Sequence, residues 1–222
     1  MTDTPMPPAS APPPAARPRA SDAFVGYVLS LCENKRVQSD LRTGLGQSVE
    51  RCNYLHRYLV RRLPERLHPD ARRAHYAVAA LIAARPRSAR TAHTERAAST
   101  EAAPGWYARS NLGASLAAAV NAQIIKAGSA EGDLHLFARQ SSDALHQRLP
   151  ALTRHLLSGG IALDWAVLLE DLTWWDRDRD RVVTRWLESY FRTADPEGAT
   201  ALDTDASIPA ADTPDLHEEN LA

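Results

Sequence analysis

The chain has 222 residues and a formal net charge of −1, with no run near the roughly 18 consecutive apolar residues of a membrane span. Its first 20 residues lack the apolar stretch of a secretory leader, and two cysteines, Cys32 and Cys52, cannot build a disulfide framework in a chain of this length, which fits a reducing cytoplasm. By segment the charge divides into +1 over 1–21, +6 over 22–192 and −8 over 193–222, so a basic body is joined to an acidic tail and points to an anionic partner.

Seven of the 15 prolines fall within the first 18 residues, a composition that favours extended, solvated chain. Phe24, Tyr27, Val28 and Leu31 then recur at helical spacing, with Ser21 or Asp22 placed to cap. Leu41 and Leu45 belong to a short piece stopped by Gly44 and Gly46. Val49, Cys52, Leu55, Leu59 and Leu63 make the next stripe, ended by Pro64. Pro69 suits a first helical position, and Tyr76, Ala80, Leu81 and Ala84 continue from it. The small polar residues of 86–105 read as a linker.

In the second half Leu112, Leu116, Val120 and Ile124 form a stripe that Gly128 ends, followed by a short helical piece from Leu134 to Ala138. Pro150 is predicted to start a helix closed by Gly159 and Gly160. Asp164 caps Trp165, Leu168, Leu169 and Leu172, and Val182, Val183, Trp186, Leu187, Tyr190 and Phe191 form a last stripe. No strand-type alternation appears. The prediction is an all-α, two-lobed helical bundle of eight or nine short helices. It has a Pro-rich disordered tail (1–21), an N-terminal lobe (22–90), a linker (91–105), a C-terminal lobe (106–192) and a disordered acidic tail (193–222).

Patterns that imitate chemical sites fail on their requirements. Gly44-x-Gly46 lacks the third glycine, the preceding strand and the long following helix of a dinucleotide loop, and reads as a helix C-cap. Asp176, Asp178 and Asp180 start like a calcium loop, but Arg181 and Leu187 stand where it needs Gly and Glu, so the run reads as a self-paired, solvated connection. Cys52 and His56 share a helix face, yet Cys32 is the only other thiol and a structural zinc site wants about four ligands. His135, His146 and His155 read as surface histidines. Of the tryptophans, Trp165 and Trp186 read as core, and adjacent Trp174 and Trp175 cannot both face one core. These patterns predict no catalytic group, no metal and no cofactor.

The basic residues carry more information. Residues 35–96 hold fourteen, including Lys35, Arg36, Arg42, Arg51, Arg57, Arg61, Arg62, Arg66, Arg72 and Arg73, against five acids. The second half adds Arg109, Lys126, Arg139, Arg148 and Arg154. Arginine outnumbers lysine 24 to 2, and guanidinium forks suit phosphate oxygens. An Arg-rich, Lys-poor chain is also what a GC-rich genome encodes; codon bias does not explain the local excess of base over acid. Charge alone leaves a nucleic-acid face and a merely solvated basic face both open.

Four motifs narrow the choice: Asn111-Leu112-Gly113, Leu163-Asp164-Trp165-x-x-Leu168, Leu172-Thr173-Trp174-Trp175 and Trp186-Leu187-x-x-Tyr190-Phe191. Their order and spacing resemble the CasB family, the small subunit of the type I-E CRISPR effector complex, Cascade. Residues 24–31, 41–46 and the Leu149-Pro150-x-Leu152 element fit the same family, so the likeness spans about 22–192 and leaves both tails unmatched. The resemblance implies a non-catalytic, cytoplasmic subunit. Two copies sit beside the crRNA-bound backbone and large subunits and help hold the separated DNA strands, chiefly the displaced one. Such a protein needs arginines facing phosphates and no base code, because guide pairing supplies sequence.

On this resemblance Arg42, Arg139 and Arg154 match contact positions, with Arg72 (or Arg73) a looser match and Arg36 nearby in the basic segment. Two departures stand out: Ala114 where some members carry Arg, and Glu131-Gly132-Asp133 where Glu-Arg-Arg is frequent, so that Lys126 and Arg148 become the candidates for compensation. The competing readings are a helical transcription regulator, with a helix-turn-helix around 44–46, and a helical scaffold for an acidic protein. The acidic tail is expected to compete for the basic face when no DNA is present.

Overall fold

Among the residues that the computed structural model describes, 19–86, 89 and 105–194, every regular element is helical. The expectations for 1–18, for nearly all of the 91–105 linker and for the acidic run from 195 lie outside the described residues. In chain order the α-helices are α1 (Ala20–Leu31), α2 (Lys35–Thr43), α3 (His56–Leu59), α4 (Pro69–Ala83), α5 (Leu112–Asn121), α6 (Ala127–Ala138), α7 (Ser142–Ser158) and α8 (Trp165–Thr193). Short 3-10 stretches occupy Val49–Leu55, Val60–Arg62 and Trp106–Ala108. No helix among the described residues is long and apolar enough to cross a membrane.

Helix α8 organises the rest. It packs against α1, α4, α5, α6 and α7, while α2 packs on α4. The two stripes, expected as separate helices, are two helical arms of α8 that meet at a kink where Asp178 takes a non-helical conformation (φ −149°, ψ 49°) and fold back on each other, Trp186 Nε1 donating to Asp171 Oδ2 at 2.7 Å. The break falls in the Asp/Arg run because that run offers the core no apolar residue. Trp175 and Trp186 stack 5.1 Å apart inside, and Trp174 is 51 % exposed, so the adjacent pair divides between core and surface. Helix α5 reaches α8 through Gly113, where a Cβ would collide with the Trp186 carbonyl, and through Asn111. The Asn111 amide donates to Ser189 Oγ (2.7 Å) and its carbonyl oxygen caps Ala114 (3.1 Å).

Several local expectations change. Ser21 and Asp22 do not cap α1: Arg19 is its N-cap, Ser21 Oγ donates to Glu170, and Asp22 pairs with Arg109. Residues 49–62 are mostly 3-10 and not α. The apolar steps explain it, since Val49, Cys52 and Leu55 recur every three residues, the 3-10 period. Gly128 lies inside α6 and does not end α5, which closes earlier where Gln123 turns to φ 56° and the Ile124 amide donates to Ala119 O. Pro150 sits within α7 and does not start it; the start is at Ser142, capped by the Ser141 hydroxyl. Gly44 and Gly159 are C-caps, and the Asp164 carboxylate accepts from the Ala166 and Val167 amides as expected.

Candidate nucleic-acid interface

The 3-10 segment is built to turn arginines outward. Cys52, Leu55 and Leu59 are buried along its inner side. The Tyr58 hydroxyl donates to Asp40 Oδ2 of α2, and the Tyr27 hydroxyl of α1 donates to the Tyr58 carbonyl, both at 2.6 Å. With the apolar and phenolic groups so anchored, Arg51, Arg57, Arg61, Arg62 and Arg66 are all exposed. Arg62 lies over the Tyr27 ring and Arg57 over Tyr58, while Arg51, Arg61 and Arg66 have no ion pair among the described residues. The family motifs did not single out these three. The three-residue apolar step of Val49, Cys52 and Leu55 is a signal that could have found Arg51, which it leaves facing water; Arg61 and Arg66 lie beyond that step.

All seven sequence-predicted contact residues are exposed: Arg36 and Arg42 on α2, Arg72 in the first turn of α4, Lys126 and Arg139 at the two ends of α6, and Arg148 and Arg154 on α7. Six have no ion pair among the described residues; Arg148 faces Asp133 at 3.8 Å, an exposed pair that costs little to exchange. Arg72 and Arg73 differ in their pairing. Arg73 bonds Asp143 at the start of α7, and Arg72 is free of it. That contact draws the first turn of α4 toward the α6–α7 turn where Arg139 sits.

Lys126 and Arg148 are brought together in a groove of about 630 Å³ between α6 and α7, floored by Ile124, Ile125 and Leu152 with His155 on its rim. Asp133, one of the departures from the family pattern, also lines it. Arg154 does not line this groove, and Arg36 and Arg42 stand apart on α2. Helix α6 opens on Lys126 with no acidic residue in its first turn and no side chain capping its first amides. Its N-terminal end is therefore locally positive.

Other arginines are absorbed internally. Arg109 forms a bidentate fork on Asp164 (2.7 Å to each oxygen) and bonds Asp22 at 2.8 Å, joining the cap of α8 to α1. Burial opposes its charge, but the two carboxylates outweigh that and hold its pKa above the ordinary arginine value. Arg185 pairs with buried Asp171, which also accepts from Trp186 Nε1 (2.7 Å). Arg85 is buried and donates to the Ile82 carbonyl.

His146 corrects the reading of surface histidines. His135 and His155 are exposed, but His146 is 5 % exposed on α7, with neither ring nitrogen finding a hydrogen-bond partner among the described residues. Burial, followed by the positive charge of Arg73, pushes its pKa down to about 4, so the ring is neutral. His56 packs its ring edge-on to Tyr76 at 5.5 Å.

Residues 37–191 match the family model of the CRISPR-associated protein Cse2. Among solved structures, a chain of a CRISPR RNA-guided surveillance complex is 34 % identical with a TM-score of 0.65, the match covering 85 % of this chain and 98 % of that one. A chain of a surveillance complex in a pre-nicking state is 35 % identical with a TM-score of 0.67, again over 85 % and 98 %. CasB of M. ruber shares the fold at 24 % identity and a TM-score of 0.62, over 86 % of this chain and 99 % of that one. No curated protein sequence matches significantly. With a fold, a motif set and a family match that agree over the helical body, the chain belongs to the Cse2 (CasB) family of CRISPR-associated proteins.

Proposed function

We propose that this chain is the non-catalytic small subunit of a cytoplasmic type I-E Cascade complex in antiviral defence, assembled beside its backbone and large subunits, the crRNA and a second copy of itself. In that setting it stabilises the R-loop by holding DNA, chiefly the displaced strand, without reading bases. The observation that carries this reading is the set of exposed cations with no ion pair among the described residues: Arg36, Arg42, Arg72, Lys126, Arg139 and Arg154. Arginine forks free of carboxylates are available to phosphate oxygens, and a single strand bound through phosphates tolerates any sequence.

The test is the salt dependence of binding to a mixed-sequence single-stranded oligonucleotide. Each phosphate neutralised contributes about 0.7 to the log–log slope. Replacing Arg42, Arg139 and Arg154 by Ala should lower the slope by about 2 without changing sequence preference. An unchanged slope would remove these residues from the contact set.

A helix-turn-helix regulator is less well supported. The turn at Gly44–Gly46 leads into 3-10 backbone and a four-residue α-turn, which offers no recognition helix for a major groove.

A further inference from the structure

Helix α8, which the acidic run follows in the chain, ends beside the Lys126–Arg148 groove. The Asn121 side chain at the end of α5 donates to the Thr193 carbonyl (2.9 Å), and the Tyr190 hydroxyl donates to the carbonyl of Ala127, the residue after Lys126 (3.3 Å). Helix α8 therefore ends against the α5–α6 junction, one wall of the groove. From there 28 residues, 195–222, carry eight carboxylates and no Lys or Arg. Extended chain advances about 3.3 Å per residue, so a fraction of that length crosses a groove between two helices.

Charge and composition both match. The groove offers Lys126 and Arg148, the latter in an exposed, exchangeable pair with Asp133 at 3.8 Å, above an apolar floor of Ile124, Ile125 and Leu152. The run alternates acids with single apolar residues, Leu202, Ile208 and Leu216 among them. We propose that segment 195–222 docks in the Lys126–Arg148 groove of its own chain and occupies it as a polyanion in place of a nucleic-acid strand. Being tethered, the segment acts at an effective concentration near millimolar, so weak contacts suffice for occupancy. A strand of DNA must then displace it, which screens the subunit from stray nucleic acid; this consequence rests on the function proposed above, whereas the docking does not.

Lys35 and Lys126 are the only lysines in the chain, which makes the docking directly readable. Zero-length carbodiimide coupling of the full-length protein, without DNA, is followed by peptide mass spectrometry. At about 0.05 M salt, carboxylates from Asp203 to Glu219 should couple to Lys126 and not to Lys35, and the yield should fall at about 0.5 M. Arg148→Glu, which leaves Lys126 and the tether in place, should also lower it at least several-fold. Equal coupling to both lysines, no coupling to Lys126, or a yield that Arg148→Glu leaves unchanged would overturn the docking.

A second measurement tests the competition. Replacing the eight tail carboxylates by Asn and Gln should tighten single-strand binding about tenfold at low salt and leave it unchanged at high salt. Equal affinities at low salt would overturn competition. Failure of both proteins to bind DNA would overturn the proposed function, while the cross-links still decide the docking.

Discussion

Two regions use arginine in opposite ways. Along the seam between α1, the 105–111 turn and α8, Arg19, Arg109 and Arg185 are each matched to carboxylates on Glu170, Asp22, Asp164 and Asp171. Across α2, the 3-10 segment and α4, Arg36, Arg42, Arg51, Arg61, Arg66 and Arg72 are exposed and have no such partner among the described residues. The first set welds helices together, and the second is available to an outside anion. A count of charges cannot separate them, because both sets are the same residue type at similar local density.

The comparison is broken most sharply at Arg109. Arg109→Ala strands two partly buried carboxylates and loosens the cap of α8, so it should destabilise the protein by about 3 kcal/mol and leave the DNA salt slope unaltered. Thermal unfolding should shift down by about 6–12 °C. Arg61→Ala or Arg66→Ala should fall within about 0.5 kcal/mol of the parent protein. Equal losses at Arg109 and Arg61 would erase the distinction between the two sets.

His146 tests the boundary between them, since it lies buried beside the Arg73–Asp143 contact. Its folded pKa of about 4 is below the ordinary value of 6.5. The unfolded chain therefore binds the extra proton first. The stability linked to this ring is complete above pH 6.5, declines as pH falls, and is gone by about pH 4. The decline should amount to roughly 3 kcal/mol across that window. His75, whose pKa burial also lowers, adds to it in the same direction. Denaturant titrations at several pH values should show a flatter profile for His146→Leu; an unchanged profile would place the effect elsewhere.

Neighbours Arg72 and Arg73 give a smaller and more selective contrast. Arg73→Ala removes the link to Asp143, whose own side chain is 74 % exposed, and should cost about 1 kcal/mol with no change in salt slope. Arg72→Ala should do the reverse, keeping stability and lowering the slope by about 0.7. Exchanged outcomes would show that the pairing has been assigned to the wrong residue.

Much of the helical order was legible because it rests on local chemistry. Asp164 and Pro69 mark helix starts, Gly44 and Gly159 mark ends, and each acts within one turn of its own position. The errors came where distant contacts prevail. Ser21 and Asp22 are good caps by composition, but Glu170 and Arg109 claim their side chains. Pro150 ordinarily begins a helix, yet the Ser141 cap starts α7 nine residues earlier. The α6–α7 groove was not legible at all. Lys126 and Arg148 lie on different helices, and only the fold brings them to one surface, the groove that α6 and α7 both line.

By itself, the sequence determined that the chain is helical, that its body is basic and that its tryptophan motifs place it in the Cse2 family. Periodicity, capping and motif spacing are short-range properties written along the chain. Only the tertiary structure decided which arginines are free. Arg109 meets Asp164 and Asp22 across 55 and 87 residues of chain, and Arg19 meets Glu170 across 151. A guanidinium takes whichever carboxylate the fold brings within about 3 Å, so its availability to a phosphate follows from packing rather than from sequence position.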